Sequence, residues 1–200
     1  RTGCGPEKLS DESHMTETPS AEPVEGREHW TNKGGIKLFL WEKFAGHPRR
    51  ARNGTVLFVH GSSMASQPTF DLQVPGRPHS SVMDWFARRG FGTWCVDMEG
   101  YGRSDKHRNI NCDIANGADD LTAASDYILK TRNCGPLLVY GISSGALRAA
   151  LFAERHPERV KRLALDAFVW TGAGSPTLRE RRKKLPGFQS KTRPPSDRGF

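Results

Sequence analysis

Ser143 stands in Gly141-Ile142-Ser143-Ser144-Gly145, a serine with a glycine two positions to either side. A serine hydroxyl held clear of its own backbone can attack an acyl carbon. The spacing has a steric reason, because in a sharp strand-to-helix turn a Cβ two residues from the serine would collide with adjoining main chain. The flanks supply that turn. Residues 137–140 are a short, continuous apolar run, and residues 146–155 are strong helix formers, stopped at His156-Pro157 because proline cannot continue the helical ladder. The start of that helix offers unpaired N–H groups and the positive end of its dipole, suited to the oxyanion that forms when serine attacks a carbonyl. The Ser144 amide is the first candidate donor. This chemistry implies no cofactor and no metal.

A serine hydroxyl is a poor nucleophile at neutral pH, so a base must take its proton and a carboxylate must orient that base. After Ser143 the one histidine is His156, at the end of the predicted helix. A rise of 1.5 Å per residue puts it roughly 20 Å away, beyond hydrogen-bond reach. His14, His29, His47, His60, His79 and His107 all precede the serine. Asp166 stands near the end of a predicted strand, where the plainer reading is a polar residue closing that strand. Two function classes therefore stand open: a serine hydrolase of which this chain is part, and a catalytically incomplete module that binds a ligand or partner.

The elements that must position Ser143 follow from periodicity. Residues 36–45, 55–60, 93–96, 137–140 and 162–170 read as apolar strands. Residues 81–89, 113–129 and 146–155 carry helical spacing. Strands alternating with helices imply parallel crossovers, with strands buried because helices cover both faces. The expected fold is α/β, a doubly wound and mostly parallel sheet. Residues 1–28 are polar and lack apolar periodicity, and read as a disordered arm. Residues 29–172 form the domain, and 173–200 a basic, Pro- and Gly-rich stretch without a further strand.

Two more segments join the serine motif. Val59-His60-Gly61-Ser62 is a glycine turn at the end of a strand, and Asp97-Met98-Glu99-Gly100-Tyr101-Gly102-Arg103-Ser104 is a glycine-containing loop after another. With these three segments, from about residue 36 to 170, the chain resembles the α/β-hydrolase fold superfamily, in its broad esterase, lipase and epoxide-hydrolase-like branch. The resemblance implies that Ser62 gives the second oxyanion-hole N–H, and that acid and histidine follow the serine in chain order. It makes Asp166 a candidate acid, since some members place the carboxylate after this strand. It implies that residues 173–200 begin a cap or lid insertion, so that the sequence is an amino-terminal portion ending after the sixth strand. Serine at the nucleophile position argues against epoxide hydrolysis and dehalogenation, which in this superfamily use aspartate there. His60 reads as a structural histidine bonded within its turn, and the loop after Asp97 as structural, pinned by Arg103 and Ser104.

Composition narrows the partners. The net charge of +8 is uneven, since residues 176–200 hold eight Lys and Arg against Glu180 and Asp197, which puts +6 there. That stretch reads as a solvated helix face; no aromatic interleaving accompanies it, so nucleic acid is an unlikely partner. A small-molecule acyl substrate is the expected one. No stretch approaches the roughly 20 apolar residues that cross a bilayer. Cys4, Cys95, Cys112 and Cys134 form no Cys-x-x-Cys pair, which argues against a zinc site or redox dithiol, and a reducing cytoplasm is the simplest compartment. Oligomeric state is not legible.

Overall fold

Three central strands carry the architecture: β3 (Thr55–Val59), β4 (Gly92–Val96) and β5 (Leu137–Ile142). Every residue of β3 and β4 is buried, as continuous apolar runs require when both sheet faces are covered. A computed structural model describes residues 19–183, apart from 78, 111, 170 and 171. Its six-stranded sheet has the order β1-β2-β4-β3-β5-β6, where β1 is Val24–Lys33, β2 is Ile36–Ala45 and β6 is Val160–Asp166. Strands β4, β3, β5 and β6 run parallel, while β1 and β2 join as an antiparallel hairpin.

Helices α3 (Ile114–Arg132) and α4 (Ser144–Arg155) cover one face, burying Leu121, Ala124, Ile128, Ala149 and Phe152 against Leu57, Val59, Trp94 and Val96. The short helices α1 (Ser66–Phe70) and α2 (Val82–Ala87) cover the other, where Phe70 and Met83 meet Val56, Phe58 and Cys95. Asp113 caps α3 by accepting the Asn116 N–H at 2.8 Å, and Asn133 ends it in a left-handed conformation. The doubly wound, mostly parallel sheet is as expected.

Two strands differ from the sequence reading. Strand β1 begins at Val24, inside the stretch assigned to a disordered arm; residues 1–18 of that arm lie outside the described residues, as do 184–200 of the basic end. The hairpin turns on Gly34 and Gly35, both at positive φ, the conformation a two-residue turn demands. Strand β6 ends at Asp166 and not at 170. It was expected to be buried, yet all but its first residue are exposed, because among the described residues β6 pairs on one side only, with β5. The basic segment 176–183 forms helix α5 (Pro176–Lys183).

Buried charges tie β1 to the sheet's carboxyl edge. Lys33 Nζ lies 3.0 Å from Glu99 Oε2 and pairs with Asp120, and Arg108 Nε donates to Glu99 Oε1 at 2.6 Å. Burial alone would raise the Glu99 carboxyl, but the bonds from Arg108 and Lys33 outweigh it and hold it at about 2. Glu99 and Asp120 are both buried, so removing Lys33 leaves Asp120 without its cation and Glu99 with Arg108 alone. Lys33→Met is expected to cost about 3 kcal/mol of stability, read as a lower urea midpoint; an unchanged midpoint would show that the pair does not hold the hairpin.

Candidate active site

At the junction of β5 and α4, Ser143 has φ 57° and ψ −125°, a conformation that side-chain-bearing residues rarely adopt. The turn is forced from both sides. A Cβ at Gly141 would lie 2.6 Å from the Gly145 carbonyl oxygen and 2.9 Å from the Ala149 Cβ. A Cβ at Gly145 would lie 2.5 Å from the His60 carbonyl oxygen and closer still to that of Val59. Ser143 N–H donates to the Asp166 carbonyl at 2.9 Å, and its own carbonyl accepts the Ala146 N–H at 3.0 Å. The serine side chain is exposed above the sheet edge.

The turn after β3 meets the elbow. A Cβ at Gly61 would lie 3.1 Å from Ser143 Cβ and 3.6 Å from Ser143 Oγ, so bare backbone faces the hydroxyl there. Ser62 Oγ is 2.9 Å from Ser144 Oγ. Ser62, Ser143 and Ser144, far apart in sequence, thus share one corner at the carboxyl ends of β3 and β5, where open α/β sheets bind ligands.

His60 is fully buried, and both ring nitrogens are engaged. Met98 N–H lies 3.1 Å from Nε2, and because an amide can only donate, Nε2 accepts. The proton is then on Nδ1, which donates to the Gly61 carbonyl at 2.7 Å. Burial, with the Arg148 charge adding to it, lowers this imidazole to about 4 from 6.5. The structural reading of His60 holds, and neither nitrogen is left for Ser143. The unfolded chain takes up this proton near pH 6.5 and the folded one only near 4. Stability is therefore full above 6.5 and falls as pH drops through that window, by at most roughly 3 kcal/mol. Urea midpoints at pH 7 and pH 5 should diverge less in His60→Gln than in the wild type; equal divergence would contradict the assignment.

Asp97 is structural as well. Its Oδ1 accepts the Ser66 N–H and hydroxyl at 2.8 and 2.6 Å, and its Oδ2 the Arg103 N–H at 2.8 Å. Ser104 Oγ links the Asp97 carbonyl to the Phe39 N–H. The loop is pinned as the sequence implied, with Arg103 bonding Asp97 through its backbone and reaching Gln67 and Glu28 through its side chain.

Asp166 ends β6 beside the elbow, and its carboxylate accepts the Tyr140 hydroxyl at 2.6 Å. Burial and that carboxylate push the tyrosine up to about 12. His156 caps the far end of α4, a helix of 12 residues or roughly 18 Å. Its ring packs on Phe152 and its Nδ1 lies 3.5 Å from Glu158. It lines an open cavity of about 370 Å³ with Thr31, Lys33, Asp119 and Asp126, away from the serine. Among the described residues no histidine bonds Ser143. None of them groups His, Cys, Asp and Glu as a metal site, and no described helix is long and apolar enough to cross a membrane.

Sequence reasoning missed Arg148, a buried arginine on α4 whose guanidinium reaches the His60 carbonyl at 3.3 Å. An arginine in a helix gives no local sign of burial. The signal lay elsewhere, in Gly117 on α3, where a Cβ would sit 2.7 Å from Arg148 Cγ.

The fold that carries this corner is shared with known proteins. A family described as "Serine aminopeptidase, S33" matches residues 50–179. No curated protein matches the sequence. Among solved structures, a CIB-like hydrolase from Thermoplasma acidophilum superposes with a TM-score of 0.55 at 17% identity, covering 74% of this chain and 66% of that one. The epoxide hydrolase VrEH1 of Vigna radiata gives 0.58 at 20% identity, covering 82% and 46%. The thioesterase domain from the curacin biosynthetic pathway gives 0.57 at 20% identity, covering 82% and 54%. The chain thus spans about half to two thirds of the length of these structures, and at such identity the likeness is one of fold.

Proposed function

The chain belongs to the serine aminopeptidase S33 family of α/β-hydrolase proteins, and from that footing we propose that it is the nucleophile-bearing part of a serine hydrolase acting on a small or medium carboxylic ester, lactone or related acyl compound. Ser143 Oγ bonds to the acyl carbon as its proton passes to a base. The resulting oxyanion is held by the N–H groups of Ser62 and Ser144. The bond to the leaving group then breaks, the leaving group takes the proton, and water releases the acyl-enzyme. Amide bonds can follow the same course, and serine rather than aspartate at the elbow weighs against epoxide chemistry.

The observation that carries this reading is the backbone of Ser143, at φ 57° and ψ −125° between two glycines that a methyl would displace. Strain of that kind persists where the surrounding structure enforces it. Within the same reading, residues 29–172 are the amino-terminal portion of the hydrolase domain, 173–200 begin a cap, Asp166 is a candidate acid, and the protein works in the cytoplasm. The test is pre-steady-state hydrolysis of p-nitrophenyl acetate. A burst of p-nitrophenol near one equivalent, lost in Ser143→Ala, is expected; a burst that survives the substitution would overturn it.

One observation favours a second reading. His60 has both nitrogens occupied and His156 sits at the far end of α4, so a ligand- or partner-binding module is the alternative. A folded chain giving no burst and no covalent adduct would favour it.

A further inference from the structure

We propose that Arg148 is a positioning residue that, together with His60, aims the Ser62 amide at the carbonyl attacked by Ser143; the inference rests on the Ser143 reading for its purpose but not for its geometry. The Arg148 side chain leaves α4 five residues after Ser143 and is 3% exposed. Among the described residues no carboxylate pairs with it. Its NH1 donates to the His60 carbonyl at 3.3 Å, its guanidinium lies 5.6 Å from the Tyr101 ring centroid, and its Nε is buried without a hydrogen-bond partner. A lone buried charge of this kind costs stability, and an α4 residue serving packing alone would be apolar.

The geometry gives the charge a task. A trans peptide points its C=O and N–H in opposite directions. Arg148 holds the carbonyl of the His60–Gly61 peptide, which sets that plane. His60 Nδ1–H holds the carbonyl of the next peptide, Gly61–Ser62, at 2.7 Å, which turns the Ser62 N–H to the side away from the ring. Nε2 accepts the Met98 N–H, so the proton sits on Nδ1, where the second clamp needs it; protonating Nε2 would set two N–H groups against each other and push the ring off Met98. The positive charge of Arg148 beside the ring opposes its protonation, while Asp97 on the loop after β4 favours it. One buried cation thereby fixes one peptide plane directly, and its charge helps keep neutral the ring that fixes the second.

The full chain is compared with Arg148→Met and Arg148→Lys by thermal melting, by ¹⁵N–¹H NMR of the His60 ring and Ser62 amide, and by the rate of fluorophosphonate labelling. Arg148→Met is expected to melt no lower than wild type, since an apolar chain of similar length replaces an unpaired charge. It should move the Ser62 amide signal, bring His60 titration toward its ordinary range, and slow labelling about tenfold, less than complete loss of an oxyanion donor. Arg148→Lys should keep the His60 signature and most of the rate. A folded Arg148→Met with unchanged His60 and Ser62 signals overturns the proposal. If Arg148→Met does not fold, Arg148→Lys decides: a folded Lys variant with the wild-type His60 signature supports the assignment, and failure of both variants to fold overturns it in favour of a purely structural arginine. Wild-type protein that never labels while the NMR signals still follow Arg148 would sink the Ser143 reading and leave the positioning role standing.

Discussion

Gly145→Ala is expected to lower stability by about 3 kcal/mol, the upper range for overpacking a closed site, and to abolish covalent labelling of Ser143. The added methyl would meet the carbonyls of Val59 and His60, the latter at 2.5 Å. Those atoms belong to β3 and its end, and β3 is paired on both sides, with β4 and β5, so the strand cannot give way. Helix α4 must move instead, carrying Ser143 and Ser144 off the Ser62 turn. Gly34→Ala is the control. That glycine also has a positive φ, 54°, but open space around its missing Cβ, so it should cost only about 1 kcal/mol and leave labelling intact. Urea unfolding of both variants measures the difference, and a Gly145→Ala loss no larger than that of Gly34→Ala would remove the steric account of the elbow.

Ser143→Gly should act in the opposite direction on stability. The serine's φ of 57° and ψ of −125° cost of order 1–3 kcal/mol in a residue with a Cβ. Glycine is free of that penalty, though it adds unfolded-state entropy worth up to about 1 kcal/mol. A net gain of about 1 kcal/mol is expected, with complete loss of acyl chemistry. Ser143→Ala keeps the Cβ and the strain, so it should lose the chemistry without the gain. The pair of variants separates conformational strain from the loss of the hydroxyl, and a Gly variant no more stable than the Ala variant would contradict the strain. A position where the functional residue is the destabilising one is the pattern that an enforced nucleophile leaves.

Much of this was readable in the chain because the relevant signals are local. β3, β4 and β5 are continuous apolar runs, and the glycines at 141 and 145 mark a turn whose purpose is steric. His60 and the loop from Asp97 to Ser104 were likewise legible as turn chemistry. Strand β1 was not, because its residues are at most half-buried, four in a row from Glu25 to Glu28 are exposed, and polar side chains stand on both faces, leaving no apolar period to read. Helix α1 is five residues long with Pro68 inside it, too short for a pattern. The exposure of β6 depends on what lies beside it, which an apolar run such as Leu163 to Leu165 does not encode. Arg148 was hidden for a related reason: its burial is set by Gly117, on another helix, and by the carbonyl of His60, on another strand end.

The most direct measurement of the central claim is mass spectrometry of the full chain after treatment with a fluorophosphonate, with the adduct mapped to a peptide. The account predicts a single adduct on Ser143, absent from Ser143→Ala and preserved in Ser62→Ala, whose backbone N–H is unchanged. A folded protein that takes up no fluorophosphonate, or takes it up at a serine other than 143, would contradict it.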